Sequence, residues 1–115
     1  MKRKVSGVLS TALIILGVIH TVFTPIFYPQ FNLDAVWFAG SGIGFIFLGS
    51  YNLTRRSDVS RLSALLATIC NLLALLWLIA FLYLEGTLQP QGLISLLILG
   101  MMVVLTTKEV FYKAS

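Results

Sequence analysis

Four long stretches of this chain are apolar and free of acidic and basic side chains, and short polar segments separate them: Val5 to Thr24, Ala35 to Leu53, Arg61 to Leu84, and Pro90 to Thr107, where Arg61 only marks an end. A helix needs about 20 largely apolar residues to cross a hydrocarbon core of roughly 30 Å, so the pattern predicts spans at 5–24, 35–53, 61–84 and 90–107. Continuous runs such as Leu72-Leu73-Ala74-Leu75-Leu76 do not alternate in polarity, which excludes the short alternating strands of a membrane barrel. Pro25 should stop the first span, Asn32 or Asp34 should cap the second, and Pro90 suits the first turn of the fourth.

Short connections make consecutive spans antiparallel neighbours. The expected fold is all-α: one integral membrane four-helix bundle over residues 1–115, up-down-up-down. Lipid supplies no hydrophobic force between helices, so small and weakly polar residues should mark the inward faces. These stripes are Ser6, Ser10, Gly17 and His20 in the first span, and Trp37, Gly40, Ser41 and Gly44 in the second. The third has Ser60, Ala64, Ala67, Asn71 and Ala74; the fourth has Gly92, Ser95 and Thr106. Gly40-x-x-x-Gly44 fits a small-xxx-small motif. Its expected use is packing within the chain, because Trp37 and Ser41 share its face; the alternative is a homodimer through Gly40 and Gly44.

Composition and charge sharpen this picture. Hydrophobic residues make up 58% of the chain and charged residues 10%, against about 25% charged in soluble domains. Lys2, Arg3, Lys4, Arg55, Arg56, Arg61, Lys108 and Lys113 are all eight basic residues, and a four-span chain puts them on one side. Short basic loops stay in the cytoplasm. Both termini should then be cytoplasmic, with Pro25–Asp34 and Glu85–Gln89 outside, in a bacterial inner membrane. The net charge of +4 is thereby a topology signal, split among three membrane-flanking segments, and no nucleic-acid partner is expected. Trp37, Trp77, Tyr28 and Tyr83 fall near the outer boundary, Tyr51 and Tyr112 near the inner one, as amphipathic rings prefer. The Met-Lys-Arg-Lys start resembles a signal peptide, but its apolar run is long and lacks a small-x-small cleavage site, so a span is expected there. Asn52-Leu53-Thr54 matches a glycosylation pattern on the cytoplasmic side, where it would go unused.

Candidate chemistry is sparse. One cysteine, Cys70, allows no intrachain disulfide, and no His-x-x-x-His or Cys-x-x-Cys offers a metal or exchange site. No catalytic residue and no cofactor can be named, and an enzyme is the less favoured reading. A Ser41–His20 pair lacks a third group to orient the base. His20, the one histidine, lies in the first span, where a polar group is costly unless paired or facing a cavity. Counting 1.5 Å per residue brings His20, Trp37, Ser41, Trp77 and Ser95 to one level in the outer leaflet. They would line a shallow pocket for a lipid or quinone, covered by the aromatic segment Pro25–Phe31. Asn71, near the midplane, is either a packing contact or a further ligand contact. Asp34 and Glu85 are expected as solvated loop charges.

The pattern Gly17-Val18-Ile19-His20-Thr21, followed by Trp37-Phe38-Ala39-Gly40-Ser41-Gly42, resembles small bacterial four-helix membrane proteins, broadly the DoxX-like group, mostly over the first half of the chain. That resemblance implies a link to quinone-dependent oxidoreductase systems. In size the chain also looks like small multidrug exporters, but it lacks the acid those carry in the first span. The alternatives to a ligand-binding protein are a small dimeric transporter and an accessory subunit of a membrane redox complex.

Overall fold

Caps and prolines set the helix boundaries. The computed structural model describes residues 2–58, 60–86 and 89–112; Lys113 and the middle of the Glu85–Gln89 connection lie outside them. Helix α1 runs Lys2–Val22, the single-turn α2 Thr24–Phe27, α3 Leu33–Thr54, α4 Arg61–Glu85 and α5 Pro90–Tyr112, with a 3-10 turn at Arg55–Ser57. Pro25 does not simply stop the first helix. It sits in the first turn of α2, where its missing N–H leaves no bond unmade, and the break falls at Phe23. The Thr24 hydroxyl bridges that break by donating to the His20 carbonyl at 3.1 Å. Asn32, rather than Asp34, caps α3 and accepts from the Ala35 N–H at 2.9 Å. Asp34 occupies the first turn, where its charge favours the helix N-terminus. Ser60 caps α4 by accepting from Ser63. The Ser60 N–H in turn donates to Asp58 and holds that carboxyl below its usual pKa. Gly86 ends α4 with φ of 75°, a left-handed conformation that suits glycine.

All four long helices are long and apolar enough to cross a membrane, and no strand occurs among the described residues. They alternate in direction. Arg3, Arg55 and Lys108 gather at one end, the basic end, and His20, Trp37, Trp77 and Ser95 at the other. The bundle is 53 Å along its longest axis. Helix α1 packs most closely on α3, and α4 on α5, so two antiparallel pairs face each other. Leu13, Phe45, Leu78, Ile98, Leu99 and Met102 form the core between them. Phe47, Leu73, Leu97 and Val104 point outward.

The inward stripes of α1, α4 and α5 fall largely where the small residues predict. Ser6, Ser10, Ala64, Ala67, Asn71, Ser95 and Thr106 are buried, while Ser60 is exposed at its cap. The buried hydroxyls of Ser10 and Thr106 bond to the carbonyl one turn back in their own helix. Helix α3 departs from expectation. Gly40 and Gly44 are exposed, and a Cβ on either would meet nothing within 4 Å; they do not serve packing within the chain. The inward face instead carries Gly42, Phe45, Gly49 and Asn52. A Cβ at Gly42 would collide with the Gly17 carbonyl at 2.8 Å, and one at Gly49 with the Ser10 carbonyl at 2.7 Å. The α1–α3 contact is thus backbone against backbone, and Gly17 with Ser10 on one helix matches Gly42 with Gly49 on the other.

Two polar ties join the pairs toward the basic end. Asn52 and Asn71, both fully buried, exchange amide bonds of 2.8 Å and 3.0 Å, and Asn52 also donates to the Leu48 carbonyl. The buried Arg55 donates from Nε to Ser63 Oγ at 3.0 Å and from Nη2 to Glu109 Oε2 at 2.6 Å. Helices α3, α4 and α5 are linked through these two groups.

Adding bulk at the close approach, as in Gly42→Val, should lower stability by about 1–3 kcal/mol through overpacking, whereas Gly44→Ala should leave the monomer's stability unchanged. Thermal unfolding in detergent micelles checks both. Asn71→Ala strands the Asn52 amide and should cost about 1–3 kcal/mol. In the Asn52→Ala/Asn71→Ala double-mutant cycle the two losses should be far from additive.

Candidate functional site

A cavity of about 620 Å³ opens at the end opposite the basic one, and all five helices contribute to its wall. The Asn52–Asn71 and Arg55–Glu109 ties lie toward the opposite end, and here both helix pairs contribute to the wall. Helix α1 supplies Leu16 and His20, and α2 supplies Phe27, with Tyr28 just after it. Helix α3 supplies Asp34, Trp37, Phe38, Ser41 and Phe45. From α4 come Trp77, Leu78, Phe81, Leu82 and Glu85, and from α5 Gln91, Gly92 and Ser95. The wall is therefore mostly aromatic and aliphatic, with a few polar groups, which is the usual make-up of a small-molecule site.

His20 is half-buried in the last turn of α1. Its ring stacks on Phe38, with centroids 3.7 Å apart and planes at 22°. Ser41 Oγ lies 3.4 Å from His20 Nε2. That hydroxyl is also 2.9 Å from the Phe38 carbonyl and 3.0 Å from the Trp37 carbonyl. A hydroxyl has one proton, and the shorter contacts place it on the backbone, which leaves a Ser41 lone pair toward His20 Nε2. Ser95 likewise donates to its own helix, at the Gln91 carbonyl, and keeps lone pairs for the cavity. Tyr28 and Phe27 both lie against Phe38, and they are the two residues of the Pro25–Phe31 segment that line the cavity. Trp77 stacks on Phe81 at 5.8 Å. At the rim, exposed Asp34 and Glu85 supply carboxylates, and the Gln89 amide donates to Glu85 at 3.2 Å.

Five of the six ligand candidates read from the sequence, His20, Trp37, Ser41, Trp77 and Ser95, line this one cavity. Asn71 does not: its amide is spent on Asn52, away from the wall. Rise per residue finds the level of the polar groups but misses Phe38, Phe45 and Phe81. Their spacing carries a signal all the same, since Phe38, Ser41 and Phe45 recur at helical intervals on one side of α3 and Trp77 and Phe81 sit one turn apart on α4. Asp34 and Glu85, expected as solvated charges, are exposed and also belong to the rim.

Among the described residues no group of three His, Cys, Asp or Glu could hold a metal ion. No carboxylate hydrogen-bonds the His20 ring there, so the Ser41–His20 contact has nothing to orient a base. The chain matches no protein-family model, no curated protein and no solved structure.

With Cys70 replaced by alanine, a cysteine at Ser41 should react with a small water-soluble thiol reagent, because it faces the cavity, and a cysteine at the fully buried Ala67 should not. A cysteine at Ser41 as unreactive as one at Ala67 would show that this end of the bundle is closed.

Proposed function

We propose that this chain is a multi-pass integral membrane protein that binds an apolar molecule with a polar head, a lipid or a quinone, in the cavity beside His20. The cavity itself carries this reading. Its volume lies in the range of roughly 300–1,000 Å³ used for small-molecule sites, its walls suit a ring or an acyl chain, and His20, Ser41 and Ser95 offer polar contacts to a head group. The resemblance to DoxX-like proteins points the same way, because its motif residues His20, Trp37 and Ser41 are wall residues.

The exterior supports membrane placement. Large side chains such as Phe47, Leu73, Leu97 and Val104 are exposed along the helices, and a contiguous apolar surface of that kind belongs in lipid. The basic end then lies in the cytoplasm by the positive-inside rule, the cavity opens to the outer leaflet, and a bacterial inner membrane is the host. The activity in this reading is binding, with His20, stacked on Phe38 and beside Ser41, as the polar contact for the head group.

Two experiments test this. A short-chain alkyl benzoquinone should quench the fluorescence of Trp37 and Trp77 saturably in the detergent-solubilised protein. His20→Ala and Phe38→Ala should each weaken the apparent affinity by about ten-fold, the loss of roughly one aromatic or polar anchor. Leu97→Ala, on the outer surface, should leave it unchanged; equal quenching in all four proteins would contradict the site. In a Cys70→Ala background, cysteines at Gln30 and Ser57 should label with an impermeant reagent from opposite sides of the membrane, and equal labelling from outside would contradict the orientation.

A homodimer on the Gly40–Gly44 face, as a small transporter would use, is a second reading. The outward direction of both glycines and the open space over them favour it, because small residues let backbones approach in lipid. Gly40→Leu with Gly44→Leu should convert a dimer to monomers in crosslinking from native membranes; an unchanged pattern rules this face out.

A further inference from the structure

A second, smaller cavity lies at the basic end, and nothing in the outer site uses it. It encloses about 180 Å³, and Arg3, Arg55, Arg56 and Lys108 line it together with Ser6 and Glu109. Glu109 is already bound by Arg55, so positive charge prevails around the space. Arg56 is held by the fold rather than waving in solvent. It is only partly exposed, and its guanidinium lies over Gly7, where a Cβ would come within 2.7 Å of Nη1 and 2.8 Å of Cζ. Its Nε is buried and has no hydrogen-bond partner among the described residues. An ionised donor buried without an acceptor is costly, and an anion in the adjoining cavity is the group that would remove the cost.

We propose that this cavity binds a phosphate group, carried either by an anionic phospholipid headgroup or by free phosphate. Arginine presents a planar fork of donors matched to phosphate oxygens. Arg56 and Arg3 approach the space from different helices, and Lys108 adds a third charge without a fork. The Ser6 hydroxyl is a further donor on the wall. The site is built from the ends of α1 and α5 and from the Arg55–Ser57 turn that follows α3, so an occupied site would tie these three together. The phosphate chemistry stands on the cavity itself; the lipid as its source rests on the membrane placement proposed above, and the two sources are separated by the test.

The full-length protein, purified in a non-ionic detergent, is titrated with phosphatidylglycerol, with phosphatidylcholine and with inorganic phosphate. Native mass spectrometry counts retained lipid, and thermal unfolding reports phosphate. The variants are Arg56→Gln and Lys108→Gln, with Arg61→Gln as the control, because Arg61 is exposed and carries an equal charge outside the cavity. Unfolding without added phosphate or lipid establishes that each variant is folded. Phosphatidylglycerol retained in preference to phosphatidylcholine, about ten-fold more weakly in Arg56→Gln and unchanged in Arg61→Gln, supports the site with a lipid source. Stabilisation by inorganic phosphate with the same variant dependence, and no lipid preference, supports it with free phosphate as the source. Loss in Arg61→Gln as large as in Arg56→Gln overturns it as general charge attraction, and so does the absence of any response to either compound.

Discussion

A buried amide in a medium without water must find its partner in the protein, and Asn52 and Asn71 find each other. Their reciprocal bonds join two helix pairs that otherwise meet through apolar side chains. Interhelical hydrogen bonds of this kind contribute about 0.6–2 kcal/mol in membranes, modest as energy but strict as geometry. Just past the end of α3, Arg55 adds a second tie, to Ser63 and Glu109. The two helix pairs are thereby tied together toward the basic end. At the other, the side chains between the pairs are rings and small hydroxyls, and a cavity remains. The shape of the site is a consequence of where the polar contacts are, and where they are not.

Much of this was legible in the residues. The number and position of the long apolar helices follow from length and hydropathy alone, and the common level of His20, Trp37, Ser41, Trp77 and Ser95 follows from rise per residue. The inward face of α3 did not follow. Gly40, Gly42, Gly44 and Gly49 lie on different sides of one apolar helix, and smallness cannot say which side meets α1. The answer depends on Ser10 and Gly17 of the other helix, a pairing written across two segments. The same holds for Asn71, whose isolation in the sequence left packing and ligand contact both open until Asn52 stood opposite it. Arg55 is a clearer case still. Counted as a membrane-flanking charge, it is in fact buried and bonded, because a residue near a span end can fold back onto the next two helices. Phe38, Phe45 and Phe81 were harder to read, since an aromatic side chain alone gives no sign of whether it faces lipid or a cavity and only its helical spacing from Ser41 or Trp77 places it on the wall.

The two ends of the molecule differ in chemistry as well as in closure. The His20 end combines aromatic rings with neutral hydrogen-bonding groups and has carboxylates only at its rim. The opposite end concentrates guanidinium and ammonium groups around a small space. If the chain lies in the bilayer as proposed, one end meets apolar molecules dissolved in the membrane and the other meets the charged surface. A protein this small has little interior to spare, and placing its polar residues at the ends leaves the middle for the Leu13, Leu99 and Met102 core.

The most direct measurement of the central claim is an experimental density map of the protein reconstituted in native lipid nanodiscs. The account predicts an elongated density between Trp37 and Trp77, reaching toward His20 and Ser41, with Asn52 and Asn71 paired below it. A bundle closed at that end, with Trp37 and Trp77 packed against each other and no space beside His20, would contradict it.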